Sequence, residues 1–369
     1  MPAGFGNRNG RTWRGQVPLP PRSITARPAL VAFIYICTAA GCILPAKPAP
    51  APPGVVPHRA LARSPLSGLP IPPGTTPPPA AVPGTITVLD WAGFDAAVSY
   101  TFDDANASQL QHYDALDALG VPLTFFLITG KPEAGDATWG RAVRDGHELG
   151  NHSRHHAHRG SGEDLDAAST FLHDRFGVTA WTMAAPFGDG SYVPLARSRF
   201  LLNRGVVNGL VLPNDVTDPF DLPCFIPPAG AVAKVFDAQI DQAVARHGWR
   251  IVLVHGFTGG GDGAYRPVAL NDFLTSVMHA ASIPTLWIDS LVNVGAYWRG
   301  QQLVSAATGT PAQEATTWTW NLPAHFPPGH FVRVASGGGT LSQRGATLGR
   351  QANGYYEVAL DAEALTWAP

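Results

Sequence analysis

From about residue 85 onward, short apolar runs alternate with longer amphipathic stretches. The apolar runs are almost uncharged and rich in β-branched and aromatic residues, which is typical of buried strands. The predicted strands cover residues 96–102, 121–129, 179–186, 250–257 and 284–289. The stretches between them are predicted helices, and three of these end at Gly120, Gly177 or Gly248, as helix C-termini commonly do.

This alternation predicts the fold class and its boundaries. Strands that alternate with helices favour a parallel sheet, and about six such units predict an α/β barrel-like domain over residues 85–300. Residues 301–369 instead show short alternating strands joined by Gly-rich and Asn-Gly turns, which predict a small all-β, sandwich-like appendage. Its aromatic side chains either bind carbohydrate or pack the two sheets together.

Residues 1–44 have the pattern of an export signal. Several arginines precede an uncharged run that is too short for the ~20 apolar residues of a membrane-spanning helix. The run ends in "AAGC", which resembles a bacterial lipoprotein processing site with Cys42 as the lipidated residue; an ordinary signal peptide or an uncleaved anchor is the alternative. Residues 45–84 are proline-rich and predict a semi-rigid linker. We therefore expect an exported protein at the outer surface or in the periplasm, lipid-anchored at Cys42 or otherwise secreted, with no other membrane contact.

Composition narrows the possible functions. The chain has 369 residues, of which 45% are hydrophobic, enough for a large core. Its net charge is -2 and no long basic block occurs in the body, which argues against a nucleic-acid surface. Cys37 lies in the export segment and Cys224 has no evident partner, so stability must come from the core rather than from disulfides.

The first polar cluster is "TFDD", which ends the first predicted strand of the barrel. In parallel α/β barrels the functional groups lie where strands end and loops begin. Adjacent carboxylates raise each other's pKa unless a cation offsets them, so Asp103 and Asp104 favour a divalent metal, with one acid as ligand and the other as base. The alternative is an ordinary strand-to-helix boundary, where Asp104 or Asn106 caps the next helix.

The second cluster is "NHSRHH", Asn151 to His156. His152 and His156 are spaced i, i+4 and would face the same side of a helical turn, as a two-histidine metal site requires. His155 and His158 form a competing pair, a solvated loop is a further alternative, and His147 is expected inside the preceding strand. Two histidines and one carboxylate would leave coordination positions open for water and substrate, as catalytic metal sites do.

The third element is His255, which follows an apolar strand. A histidine with a near-neutral pKa at the mouth of the barrel could protonate a leaving group. The alternative is a structural histidine that is buried in the core with its hydrogen bonds made.

The motifs "TFDD", "HSRHH" and "LVH", in this order and spacing, resemble those of the polysaccharide deacetylase family, also called NodB-like deacetylases or carbohydrate esterase family four. The resemblance covers roughly residues 96–298 and implies a distorted (β/α) barrel. It implies the following roles: Asp103 as general base, Asp104, His152 and His156 as metal ligands, and His255 as general acid. It thereby selects His152 and His156 over the competing histidine pair, and it implies a divalent metal, Zn in the first place with Co or Ni as alternatives.

The implied activity is metal-assisted removal of acetyl groups from an extracellular or cell-wall glycan. The partner would be an acetylated polysaccharide or oligosaccharide, and the expected reaction is N-deacetylation of an N-acetylglucosamine polymer. An O-acetyl esterase acting on a xylan-like polymer is one alternative. A surface lipoprotein that binds glycans without hydrolysing them is another.

The sequence departs from the family pattern at two motifs. The usual Arg-x-Pro-Tyr is replaced by "AAPF", in which Pro186 and the backbone of Phe187 could preserve the oxyanion loop while the arginine that braces the base is missing. The usual Asp-x-x-Asp-Trp is also absent, and Asp215, Asp218 and Asp221 occupy its region. Two hypotheses follow: Arg204 replaces the lost cation, or one of these aspartates orients His255.

Overall fold

The computed structural model describes residues 61–73 and 82–369 of the chain. The predicted export signal, including Cys42, and residues 45–60 and 74–81 of the predicted linker lie outside these residues. Within the described ranges, no helix combines the length and the apolar character needed to cross a bilayer.

The strands and helices alternate through the first part of the body, and after residue 306 strands follow with one short 3-10 helix, Leu360–Ala362. In chain order the strands are β1 (Ile86–Val88), β2 (Ala96–Asp103), β3 (Thr124–Leu127), β4 (Glu148–Asn151), β5 (Thr182–Ala184), β6 (Leu202–Arg204), β7 (Trp249–Val254), β8 (Leu286–Ile288), β9 (Thr310–Ala312), β10 (Ala315–Thr319), β11 (Phe331–Ser336), β12 (Thr340–Gln343), β13 (Ala346–Thr347), β14 (Tyr356–Ala359) and β15 (Ala364–Ala368). The helices are α1 (Ala107–Gln111), α2 (Tyr113–Asp117), α3 (Ala137–Arg144), α4 (Gly162–Phe176), α5 (Tyr192–Arg197), α6 (Ala233–Ala245), α7 (Leu270–Ala281) and α8 (Leu291–Ala306).

A seven-stranded sheet forms the centre of the body. Its strand order is β6-β5-β4-β3-β2-β7, with β8 pairing alongside β2. All of these pairs are parallel, so the carboxyl ends of the strands share one edge. The predicted barrel-like α/β fold is therefore confirmed.

The central strand β2 is buried along its whole length. Val98, Tyr100 and Phe102 pack in the core between the sheet and its surrounding helices, whereas Ala97 belongs to the core on the opposite side. Side chains alternate across a strand, so Asp103 lies on the opposite side of the sheet from Phe102. This alternation turns the carboxylate of Asp103 away from the helix layer.

The C-terminal region is all-β, as predicted. A five-stranded antiparallel sheet has the order β13-β12-β15-β10-β9, and a three-stranded sheet has the order β1-β11-β14. Strand β1 thus joins the C-terminal strands although it precedes the barrel in sequence. Helix α8 runs past the predicted boundary at residue 300, and at Gly300 it lies so close to Leu360 of the β region that a larger side chain would clash.

The aromatic residues of the C-terminal region are mostly packed inside it. Trp318, Trp320 and Tyr356 are buried in the core that the β region shares with α8. The indole of Trp320 donates to the Leu360 carbonyl at 2.9 Å. Of the two explanations for these aromatics, packing is the one that the contacts of these three side chains support.

Residues 61–73 lie within the predicted linker but are held against the folded body. The Ser64 hydroxyl donates to a Glu357 carboxylate oxygen at 2.6 Å, and the Ser67 hydroxyl donates to the other oxygen at 2.8 Å. Glu357 also forms a fully buried ion pair with Arg333 at 3.0 Å. These residues are therefore not a free spacer, because their hydroxyl groups donate hydrogen bonds to the carboxylate of a buried ion pair.

Breaking this buried pair is expected to destabilise the body. Arg333→Met should lower the free energy of unfolding by about 3–5 kcal/mol, because Glu357 would stay buried without a counter-charge. Urea denaturation of the full chain measures the effect. Arg344→Met, which alters an exposed arginine of the same β region, is the matched control. Equal stability of the two variants would contradict the prediction.

Candidate active site and metal centre

Three side chains from two separate loops converge at the carboxyl edge of the sheet. The ligand atoms of Asp104, His152 and His156 all lie within 4.8 Å of one another. Asp104 Oδ1 is 3.4 Å from His152 Nε2 and 3.7 Å from His156 Nε2. Ligand atoms placed ~2.0–2.2 Å from a tetrahedral ion are about 3.3–3.6 Å apart. The two distances from Asp104 to the histidines are close to this range, so the three side chains are placed to hold a divalent metal.

The Asp104 carboxylate has the environment of a ligand. Its Oδ1 atom is buried and has no hydrogen-bond partner among the described residues. Burial raises the pKa of Asp104, but the interaction with His152 and the charges of His255 and His156 outweigh it and hold the pKa well below the ordinary value. An ionised, buried oxygen that accepts no hydrogen bond lowers the stability of the fold unless a cation binds to it.

The two histidines differ in their proton affinity. Burial favours neutral His152, but the nearby carboxylates of Asp103 and Asp104 raise its pKa. Burial, with the neighbouring charge of His152, lowers the pKa of His156 to about 4. Metal ligation requires neutral imidazoles, so protons compete for His152 more strongly than for His156.

A backbone contact orients the ring of His152. Its Nδ1 lies 2.8 Å from the carbonyl oxygen of Ala184, the first residue of the divergent "AAPF" motif. Since a carbonyl can only accept, Nδ1 carries the proton and Nε2 presents its lone pair towards Asp104. The tautomer required of a ligand is thus set by the neighbouring strand.

The helical turn predicted for His152 and His156 is wrong, although the two rings do converge. Both residues lie in a loop after β4, and their rings are 4.8 Å apart. Ser153 and His156 have positive φ angles of 61° and 52°, which fold the loop back on itself. The Ser153 hydroxyl accepts from the His156 N–H at 2.9 Å, and Asn151 accepts from the Ser153 N–H at 2.8 Å. These bonds brace conformations that L-residues rarely adopt.

Asp103 lies beside this site and is paired with Arg204. Both side chains are buried, and the Arg204 Nη2 donates to Asp103 Oδ1 at 2.5 Å and also contacts Oδ2. Asp103 Oδ2 is 3.6 Å from His152 Nε2. In the parallel pairing of β5 with β6, Arg204 is the register partner of Ala184. The cation that is missing from position 184 is therefore supplied from the adjacent strand.

His255 follows β7 on the other side of the site. Its backbone carbonyl accepts from Asn106 Nδ2 at 2.8 Å and from Gln109 Nε2 at 2.7 Å. Gln109 also donates to the Asp103 carbonyl at 2.6 Å, which ties the ends of β2 and β7 together. Burial lowers the pKa of His255 in spite of the nearby carboxylates of Asp103 and Asp104. A lowered pKa makes its imidazolium a stronger proton donor.

Asp215 and Asp218, two of the three aspartates predicted as candidates to orient His255, are held by other partners, so the prediction is wrong for these two. The Asp215 carboxylate accepts from the backbone N–H groups of Leu212 and Thr217 at 2.6 and 3.0 Å. Asp218 pairs with Arg197. Both acids stabilise turns of their own loop, which is a common use of aspartate.

The remaining histidines of the cluster do not join the ligand set. His147 is buried just before β4, not inside it, and its Nδ1 accepts from the Leu123 N–H at 3.0 Å. His155 is exposed and bonds to Asp164 at 2.5 Å. The ring of His158 stacks on Phe187.

The "AAPF" loop forms one lip of the site. Pro186 is buried, and Phe187 has a φ angle of 57°. The Phe187 ring lies 4.4 Å from the ring of His156, measured between centroids. The ring of Phe187 therefore borders the candidate metal centre. The sequence did not indicate Gln109, and it indicated Asn106 only as a helix cap, whereas its side chain makes no capping hydrogen bond and donates to the His255 carbonyl instead.

Metal affinity is expected to fall on acidification. A proton bound to His152 must leave before a metal binds, so affinity should fall about tenfold per pH unit once the pH is below the raised pKa of His152. Calorimetric titration with Zn²⁺ between about pH 5 and pH 8 measures this. His155→Ala should follow the same curve, because His155 is bonded to Asp164 outside the ligand set. Affinity that is independent of pH would contradict the ligand assignment.

The part of the chain that carries this site is similar to known proteins. Residues 94–198 match the family model described as polysaccharide deacetylase. No curated protein matches the chain. Among solved structures, a Mycobacterium smegmatis protein assigned as a polysaccharide deacetylase has 19% identity and a TM-score of 0.43, covering 64% of this chain and 99% of its own.

Two further solved structures are of named activity. The catalytic domain of a peptidoglycan N-acetylglucosamine deacetylase from Eubacterium rectale has 16% identity and a TM-score of 0.38, covering 54% of this chain and 90% of its own. A family 4 acetyl xylan esterase from Clostridium thermocellum, in complex with a cobalt ion, has 18% identity and a TM-score of 0.37, covering 54% of this chain and 89% of its own. The family match confirms the resemblance predicted from the motifs: residues 94–198, which carry Asp103, Asp104, His152 and His156, are similar to the polysaccharide deacetylase family.

Proposed function

We propose that this protein is a metal-dependent hydrolase that removes N-acetyl groups from a glycan containing N-acetylglucosamine. The observation that carries the proposal is the convergence of Asp104, His152 and His156 beside the buried carboxylate of Asp103. The predicted export signal fits a substrate outside the cytoplasm, and we propose that the protein acts at the outer surface or in the periplasm.

Asp104, His152 and His156 would hold the divalent ion, Zn²⁺ or alternatively Co²⁺ or Ni²⁺. When bound, such an ion supplies Lewis-acid polarisation of the acetyl carbonyl and lowers the pKa of water. The chain provides the remaining groups from Asp103, Arg204, His255 and the "AAPF" loop.

Asp103 acts as the general base. It takes a proton from the water whose oxygen adds to the acetyl carbonyl carbon. Arg204 donates to both of its carboxylate oxygens, which fixes their direction. The divergence of the third motif therefore does not leave the base without a cation, and this removes the main reason to expect a glycan binder without activity.

Two further groups act on the reacting acetyl group: one stabilises the negative oxygen, and the other protonates the departing amine. The backbone N–H of Phe187, at the lip of the site, donates to the oxygen that becomes negative in the transition state. His255 then gives a proton to the sugar nitrogen as the C–N bond breaks, so that acetate and a free amine leave. With an ester substrate the same proton would go to the alkoxide oxygen.

Acetate release from a small panel of polymers tests the proposal. Tetra-N-acetylchitotetraose, peptidoglycan and acetylxylan are each incubated with the full chain and with Zn²⁺, Co²⁺ or Ni²⁺. We expect acetate from the N-acetylated substrates. Release from acetylxylan alone would support the O-acetyl esterase alternative, and no release from any polymer would favour a binding protein.

A further inference from the structure

Two exposed aromatic rings stand out on the described surface, residues 61–73 and 82–369. Phe187 is 50% exposed and Tyr265 is 53% exposed, and they are the only aromatic side chains among the strongly exposed large apolar residues there. The others are aliphatic: Leu66, Ile71, Val82, Val207, Val216 and Val232. Aromatic rings bury a large apolar area when they find a partner, so leaving them in water forgoes stability.

Both rings touch histidines of the candidate site. Phe187 stacks on His158 with ring centroids 3.7 Å apart and an angle of 12° between the planes, and it lies 4.4 Å from His156. Tyr265 makes an edge contact with His255, with centroids 5.2 Å apart. One exposed ring therefore adjoins the proposed metal ligands, and the other adjoins the proposed acid.

Anchored loops hold both rings in place. Phe187 follows the buried Pro186 in a tight turn, and its own backbone has a positive φ angle of 57°. Tyr265 follows a glycine-rich loop in which the Asp262 carboxylate accepts from the Ser108 N–H at 2.7 Å and from the Ala264 N–H at 3.2 Å. Rings on anchored loops lose little conformational entropy when a ligand packs on them.

We propose that Phe187 and Tyr265 form an aromatic clamp that binds pyranose rings of the glycan on the two sides of the reacting acetyl group. The clamp rests on the proposed function, because it assigns that site a ligand of several sugar residues. The acetyl group occupies the centre near Asp103, and the neighbouring rings of the chain pack their C–H faces on Phe187 and Tyr265. The protein is thus selective for an oligosaccharide over a single acetylated sugar.

The surroundings of the rings fit a sugar better than an apolar protein surface. Each ring is flanked by a polar group, His158 beside Phe187 and the Arg266 guanidinium 5.1 Å from the Tyr265 ring centroid. A pyranose combines an apolar face with hydroxyl groups at its edge, so it can use the ring and the polar neighbour together. A docking surface for a protein is usually a continuous apolar patch instead.

Binding of tetra-N-acetylchitotetraose tests the clamp directly. The measurement is calorimetric titration in an Asp103→Asn background, so that hydrolysis does not interfere. Phe187→Ala and Tyr265→Ala should each weaken binding of the tetramer by about five- to tenfold and leave that of free N-acetylglucosamine nearly unchanged. Phe187→Tyr and Tyr265→Phe should keep the affinity, as should Val216→Ala, which truncates an exposed apolar side chain elsewhere.

The outcomes separate the clamp from the hydrolytic function. Equal affinity of the parent and both alanine variants overturns the clamp, and so does a parent protein that does not bind the tetramer. A dimer that dissociates in the alanine variants, without loss of sugar binding, shows that the rings serve contact between copies and also overturns it. Affinity that depends on both rings supports the clamp even if the wild-type chain releases no acetate, a result that would reject the hydrolase alone.

Discussion

Asp103→Asn is expected to lower the rate of acetate release by a factor of about 10²–10⁴, the usual contribution of a general base. The amide cannot take a proton from water, but its size is unchanged and its oxygen can still accept from Arg204. The variant should keep its metal ligands, but it should be less stable than the wild type, because the buried Arg204 charge loses its counter-charge. Its kcat on the most active substrate, with bound metal determined in parallel, measures the effect.

A second acid from the same chain provides the control for this variant. Asp215→Asn should keep nearly full activity, because Asp215 bonds to backbone groups of its own loop away from the site. If Asp103→Asn loses less than about tenfold, Asp103 is not the base. If both variants lose activity equally, the effect does not come from proton transfer at Asp103.

Arg204→Met is expected to impair both stability and turnover. Removal of one partner of a buried ion pair costs about 3–5 kcal/mol, because the other charge stays without compensation. The Asp103 carboxylate would also lose the two contacts that direct it, so that kcat should fall by about 10–100-fold. Urea denaturation and acetate release measure the two effects separately.

The register of the sheet provides a rescue experiment for this arginine. Ala184 is the strand partner of Arg204, and both residues belong to the same side of the β5–β6 pair. Ala184→Arg combined with Arg204→Ala should return the cation to Asp103 and recover a large part of the lost activity. A fully active and stable Arg204→Met protein would contradict the role of Arg204, whatever the double variant does.

The long central strands were predictable from the sequence, whereas the short edge strand was not. Strands β2 and β7 are uniformly buried and mostly apolar, so the pattern alone identifies them. Strand β6 has only three residues, Leu202 to Arg204, and two of them are polar. Strand β6 forms because it pairs with β5 and packs in the core. These are tertiary contacts, which the local sequence pattern does not indicate.

The candidate site was likewise predictable only in part from the sequence. The convergence of Asp104 with His152 follows from the rule that parallel strands end at one edge, together with the family motif. The geometry that brings His156 to them comes from left-handed loop residues, which the i, i+4 spacing could not indicate. The pairing of Arg204 with Asp103 depends on the register of β5 with β6, and a sequence without a known register leaves it as one hypothesis among several.

The metal requirement of acetate release tests the central claim most directly. The full-length protein is stripped with chelator, its metal content is determined, and activity is followed during titration with Zn²⁺. We expect the stripped protein to be inactive and to recover with about one ion per chain, while Asp104→Ala neither binds that ion tightly nor recovers. Full activity of the stripped wild type, or of Asp104→Ala, would contradict the metal centre and the mechanism that rests on it.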